Sequence, residues 1–134
     1  MRGIYFILIA LFIISCKKES EEIPQVIKVT PANNSENVLL NVSIELYFNM
    51  PMDRMSCEEN FKLYCDSLMH TGNFEWNSDH THMIFHPDTL CPDREHTIFL
   101  SKNARCDDDM PHMNHCGEHN NMERDFTSKF RTRK

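Results

Sequence analysis

The chain has 134 residues, with 14 Lys and Arg against 20 Asp and Glu and a net charge of −6, which leaves room for one domain of ordinary size. No basic run precedes the last few residues, so the cationic face that phosphate contacts need is missing and nucleic acid is excluded as a partner. Three Gly and six Pro argue against low complexity, whereas eight His, nine Met and six Cys are unusual for so short a chain.

The first element in chain order is an export signal. Arg2 precedes an apolar run over residues 4–14, and the small residue Ser15 stands before Cys16. A charged start, a short apolar stretch and a small residue at the cut predict a secretory signal peptide over residues 1–15. The run is too short to span a bilayer, which takes about 20 residues. Ile13-Ile14-Ser15-Cys16 also resembles the lipobox of bacterial lipoproteins. That resemblance implies cleavage before Cys16 by signal peptidase II, diacylglycerol on its sulfur, and a lipid anchor in a membrane of the bacterial cell envelope, the outer membrane being the expected one. Residues 16–24 then form the lipidated Cys and a polar tether ending at Pro24. Export places the remaining thiols in an oxidising compartment, where disulfides are the default. With Cys16 lipidated, Cys57, Cys65, Cys91, Cys106 and Cys116 remain. Because that number is odd, at least one thiol stays free, binds something or bridges to another chain.

Beyond the tether the pattern is one of short strands. Ile27 and Val29 alternate with polar neighbours and stop at the turn-rich Pro31-Ala32-Asn33-Asn34-Ser35. Val42, Ile44, Leu46 and Phe48 alternate with Ser43, Glu45, Tyr47 and Asn49, the clearest period of two in the chain and the mark of a strand with one buried face. Residues 53–60 can hold a helical turn, and residues 61–65 and 74–76 read as further strands. Over residues 81–86, Met83 and Phe85 face inward while His82, Ile84 and His86 face out. His96, Ile98 and Leu100 share a face of the next strand, and Phe126, Ser128 and Phe130 share a face of the last. Short strands at this spacing without a long helix predict an all-β fold, a single β-sandwich over residues 25–134.

These residues resemble a bacterial Ig-like domain of the SbsA type. The resemblance is carried by Val29-Thr30-Pro31-Ala32-Asn33, by Val38-Leu39-Leu40-Asn41 leading into a strand that ends Phe48-Asn49-Met50-Pro51-Met52-Asp53, by Phe85-His86-Pro87 with Leu90-Cys91-Pro92, and by the closing strand over residues 126–132. It covers residues 24–133 and implies an Ig-like sandwich and an extracellular module. It implies no reaction, because function sits in sites placed on folds. The chain departs from the family pattern at two places. His96 stands where the family usually has Tyr, which predicts a ring half-buried near the sandwich edge. The segment before the last strand, normally a short turn, is lengthened to residues 106–122.

That lengthened loop holds three His, three Met, two Cys and four acidic residues. Imidazole suits zinc, copper and nickel, and thioether or thiolate sulfur selects Cu(I). Met110, His112, Met113, His115, Cys116 and His119 are therefore candidate ligands for copper or zinc. His112, His115 and His119 would share one face of a helix, although Gly117 and Asn120-Asn121 oppose a helix there. The alternative is a solvated loop closed by a Cys106–Cys116 disulfide worth about 2–4 kcal/mol, and the two readings are compatible. His80, His82 and His86 offer a second place for a metal, against the plainer reading of surface histidines on a strand. Met50, Met52 and Met55 read as core fillers.

No catalytic set is present: Gly-x-Ser-x-Gly, His-Glu-x-x-His and a phosphate-cradling Gly loop are all missing, and a Cys116–His119 pair would sit on an oxidised Cys. Two functions follow. One is a lipid-anchored, non-enzymatic envelope module with a structural or interaction role and an envelope protein as partner. The other is an envelope lipoprotein that binds copper or zinc through the 106–122 loop.

Overall fold

A computed structural model describes residues 23–109, 116 and 120–134. Nine strands and one short helix occur among them: β1 (Val26–Thr30), β2 (Ser35–Val38), β3 (Ile44–Phe48), α1 (Arg54–Asn60), β4 (Phe61–Cys65), β5 (Leu68–Met69), β6 (Gly72–Trp76), β7 (His82–Pro87), β8 (Glu95–Leu100) and β9 (Phe126–Thr132). They form two sheets, β1-β3-β7-β6 and β2-β9-β8-β4-β5. All pairings are antiparallel except that of β2 with β9.

The alternation predicted for residues 42–49 is what builds the first sheet. Ile44, Leu46 and Phe48 are buried on β3 while Glu45 and Tyr47 turn outward. β7 repeats the pattern with Met83 and Phe85 inside. The second sheet answers with Leu63 on β4, Ile98 and Leu100 on β8, and Phe130 on β9. Apolar side chains from the two inner faces meet as one cluster that also takes in Met50, Met52, Cys57 and Phe61, the arrangement expected of an aligned sandwich. Phe61 packs against Phe85 and Phe74 with ring centroids 4.9 and 5.6 Å apart.

α1 closes one end. Asp53 caps it, its Oδ1 accepting from the Ser56 N–H at 3.1 Å, which satisfies one of the donors a helix start leaves open. Met50 and Met52 are buried as expected, but Met55 is 70% exposed. On a helix this short only one face meets the core, and Met55 lies off it.

Two strands, β2 and β5, are not expected from the sequence pattern. The turn at residues 31–35 leads directly into β2, which crosses to the other sheet and pairs with β9. Asn33 Oδ1 accepts from the Lys129 N–H at 2.9 Å, and the Asn34 N–H donates to Lys129 O at 2.7 Å. β5 is two residues long and pairs only with β4. Neither strand is long enough to show a period.

The base of the long loop is pinned by backbone bonds. Met52 bridges to Cys106 and Arg105 to Asn121, and the Cys106 N–H donates to Asn120 O at 2.9 Å.

Candidate metal centre

Four potential ligands converge at the β4–β5 end of the second sheet. One ligand atom each from Cys65, His70, Cys91 and His96 lies within 4.8 Å of every other. The chain reaches this arrangement by using one local device twice. Cys65-Asp66-Ser67-Leu68-Met69-His70 and Cys91-Pro92-Asp93-Arg94-Glu95-His96 are both Cys-x4-His segments. Each folds back through an aspartate in the left-handed region, Asp66 and Asp93, both with φ 52°. Asp and Asn enter that region more readily than most residues because their short polar side chains bond locally. In each segment the turn brings the His back beside its Cys.

Neighbouring strands hold both turns. In the first, Tyr64 and Cys65 pair with Met69 and Leu68, and the His70 N–H donates to Leu63 O at 2.8 Å. In the second, the Asp93 N–H donates to Arg133 O at 2.9 Å and the Arg94 N–H to Thr132 Oγ1 at 3.1 Å. The Thr132 hydroxyl in turn donates to Cys91 O.

The imidazoles are oriented from behind. His96 Nδ1–H donates to Arg94 O at 3.0 Å, which turns Nε2 toward the cluster, where it accepts from the Cys91 N–H at 3.2 Å. His70 hydrogen-bonds the Thr89 backbone and brings Nε2 to 4.0 Å from Cys91 Sγ. The two rings stack with centroids 5.2 Å apart, and His96 stacks on Phe130 at 5.1 Å. A backbone carbonyl behind a ligating imidazole fixes its tautomer and aim, as in established metal centres.

The electrostatics suit neutral imidazoles. Burial holds both His70 and His96 below the ordinary imidazole range, only partly offset by their backbone hydrogen bonds. Burial, and then a hydrogen bond with Cys91, push the Cys65 thiol up to about 11. An ion entering the site therefore takes the place of a thiol proton, so its binding releases protons.

His96 is fully buried, which corrects the half-buried edge position expected from its place in the family pattern. The expectation failed because His96 points at a partner, the His70–Cys91 side of the cluster, that only the fold supplies. The repeated Cys-x4-His spacing was the sequence signal for this centre.

Of the residues singled out from sequence, Cys16, Met110, His112, Met113, His115 and His119 lie outside the described residues. Cys116 is half-buried and joined to Cys106 by a disulfide, with 6.0 Å between Cα atoms. Asp108 lies beside that pair, but disulfide sulfurs are not thiolate ligands. His80, His82 and His86 do not converge. Each faces its own carboxylate: Asp107 at 2.8 Å, Glu45 at 3.0 Å and Glu75 at 2.8 Å.

The two packed sheets, with β1 in one and β2 crossing to the other, define an immunoglobulin-like sandwich. The chain belongs to the bacterial Ig-like domain family, whose model matches residues 20–132; such domains are in general non-catalytic. No curated protein sequence matches the chain.

Among solved structures it is similar to PcoC, a methionine-rich copper resistance protein from Escherichia coli. The TM-score is 0.60 at 14% identity, covering 84% of this chain and 100% of that one. It is also similar to an L,D-transpeptidase solved with imipenem (TM-score 0.55, 21% identity, 84% of this chain and 41% of that one). A third likeness is to the surface layer protein SbsC (TM-score 0.55, 16% identity, 87% of this chain and 14% of that one). The chain thus spans less than half of the transpeptidase and a small part of SbsC, and at these identities the likeness is one of fold.

Proposed function

We propose that the protein is a lipid-anchored, non-enzymatic Ig-like module of the bacterial cell envelope that binds a copper or zinc ion at Cys65, His70, Cys91 and His96. The observation that carries this is the convergence of two thiols and two imidazoles within 4.8 Å, on turns fixed by neighbouring strands. Two sulfur and two nitrogen donors match what copper and zinc sites use. The copper-resistance protein among the structural neighbours supports the reading that this sandwich can carry a metal.

The anchor rests on the lipobox resemblance at Cys16, and stable membrane attachment follows from its several acyl chains. The 106–122 loop, with Met110, His112, Met113, His115 and His119, supplies a second donor set in the sequence.

Calorimetry on the reduced chain from Lys17 onward, with Zn2+ and with Cu+, tests the reading. One ion binds with a dissociation constant well below about 0.1 mM, and Cys91→Ser abolishes that binding. A variant with His112, His115 and His119 replaced by Ala keeps it. If neither ion binds tighter than that limit, the metal reading fails; if the loop variant loses binding and Cys91→Ser does not, the site lies in the loop.

A further inference from the structure

We infer that the ion this centre takes is Zn2+, held as a closed clamp that fastens the edge strand β5 to the β7–β8 connection. The inference rests on the metal-binding reading and narrows it. All four donors come from the chain itself, two sulfurs and two nitrogens, which is the full complement of a structural zinc site. An ion that reacts or is handed on keeps an open position, whereas here His96 and Cys65 are buried, His70 is 9% exposed and only Cys91 is partly exposed. No carboxylate among the described residues joins the group, and Met69, next to His70 in sequence, is exposed.

Redox chemistry separates Zn2+ from Cu2+. Two Cu2+ ions facing the Cys65 and Cys91 thiols would each accept one electron, leaving two Cu+, one disulfide and two protons released to water, and so destroying the donor set. Zn2+ has no redox chemistry and holds both sulfurs as thiolates.

The placement of the two segments says what the clamp does. The first lies on the β4–β5 hairpin, at the free edge of the second sheet. The second runs from the β7–β8 connection into the first residues of β8, and β9 anchors it through Asp93 and Arg94. β5 has only two residues and one partner strand, and Leu68 and Met69 are both exposed, so little else holds it. A ligand bond from His70 to an ion shared with Cys91 and His96 ties this edge to the interior. Metal-ligand bonds formed only in the folded state add their binding energy to folding.

The test uses the full-length chain, purified in detergent from cells grown with both copper and zinc. Elemental analysis is expected to find one zinc per chain. Replacement by Co2+ is expected to give the visible bands of a tetrahedral ion together with thiolate-to-cobalt charge transfer. Cys91→Ser, at a half-exposed position that tolerates change, and Cys65→Ser each weaken zinc binding at least about 100-fold, while melting curves confirm that both fold. Chelation speeds hydrogen exchange at the His70 N–H far more than at the Ile98 N–H.

Copper in place of zinc overturns the zinc assignment and leaves metal binding standing. An octahedral cobalt spectrum without charge transfer, or equal exchange with and without zinc, overturns the closed clamp. A Cys65–Cys91 disulfide that takes up neither Zn2+ nor Co2+ after reduction removes the metal reading itself.

Discussion

Cys57 shows how burial sets a residue's chemistry. It lies fully buried at the helix end of the core, and burial, then the charges of Asp53 and Glu58, hold its thiol far above the ordinary range. The folded state keeps this proton, whereas the unfolded thiol loses it above pH about 8.5. Stability from this group is therefore complete below that pH and falls as pH rises through it, by at most ~1.4 kcal/mol per pH unit. Denaturation midpoints from pH 7 to 10 should decline more steeply in the native sequence than in Cys57→Ala. Equal slopes would show that Cys57 is not the group responsible. The same burial predicts a thiol that disulfide reagents reach only after unfolding. Among the described residues Cys57, Cys65 and Cys91 are free and Cys106 and Cys116 are bonded. The five cysteines beyond Cys16 resolve into a disulfide, a facing pair, and Cys57 alone in the core. The partition needs the fold, because Cys57 on α1 packs into the core while Cys65 at the end of β4 faces Cys91.

At the scale of elements, Gly72 opens β6 where the sheet runs close to β7. A Cβ there would collide with the His86 carbonyl and with the ring of Phe85, which is buried in the core, so neither gives way easily. Gly72→Ala should cost about 1–3 kcal/mol and loosen the β6–β7 pairing, seen as a lower melting temperature and faster exchange along β6. A change within 0.5 kcal/mol would mean that the strands separate easily. The helix start offers a second check. Asp53→Ala removes the cap and should cost about 1 kcal/mol, whereas Asp53→Asn or Asp53→Ser should retain most of that stability. Strands that repeat a buried face, three residues on β3, β4, β8 and β9 and two on β7, are legible because alternation needs such a repeat to show. β2 and β5 are not: their pairing comes from a crossover and a tight turn, and neither leaves a periodic trace. The histidines on β7 were read correctly as outward-facing, but their carboxylate partners come from β3 and β6, strands distant in sequence.

For the whole molecule, the sandwich is what makes one site out of two segments. Neither Cys-x4-His segment holds four donors by itself, and only the pairing β4 with β8, and the packing of the β7–β8 connection against β9, sets them face to face. A long-range consequence follows. Ile98→Ala, buried in β8 two residues beyond His96, should cost about 2–5 kcal/mol and in the zinc-loaded chain should be partly offset by the ion, so that zinc raises its melting temperature more than it raises that of Cys91→Ser. An equal rise in both would place the stabilising ion elsewhere. Anchoring is tested at the same scale: Cys16→Ala should leave the membrane fraction while keeping its fold, and a variant that stays membrane-bound and uncleaved would remove the lipobox reading.

The sequence by itself determined the class of this protein. Period-two alternation, turn-forming clusters and the ordered Pro31, Phe48-to-Asp53 and Leu90-to-Pro92 signatures are local, and local patterns survive in one dimension. It also carried the unusual supply of His and Cys, but drew attention to the loop where they are densest in the chain. Tertiary structure alone decided which of them meet. Ligand geometry is a matter of a few ångströms between side chains from different strands, and that distance is set by strand pairing and sheet packing rather than by separation along the chain.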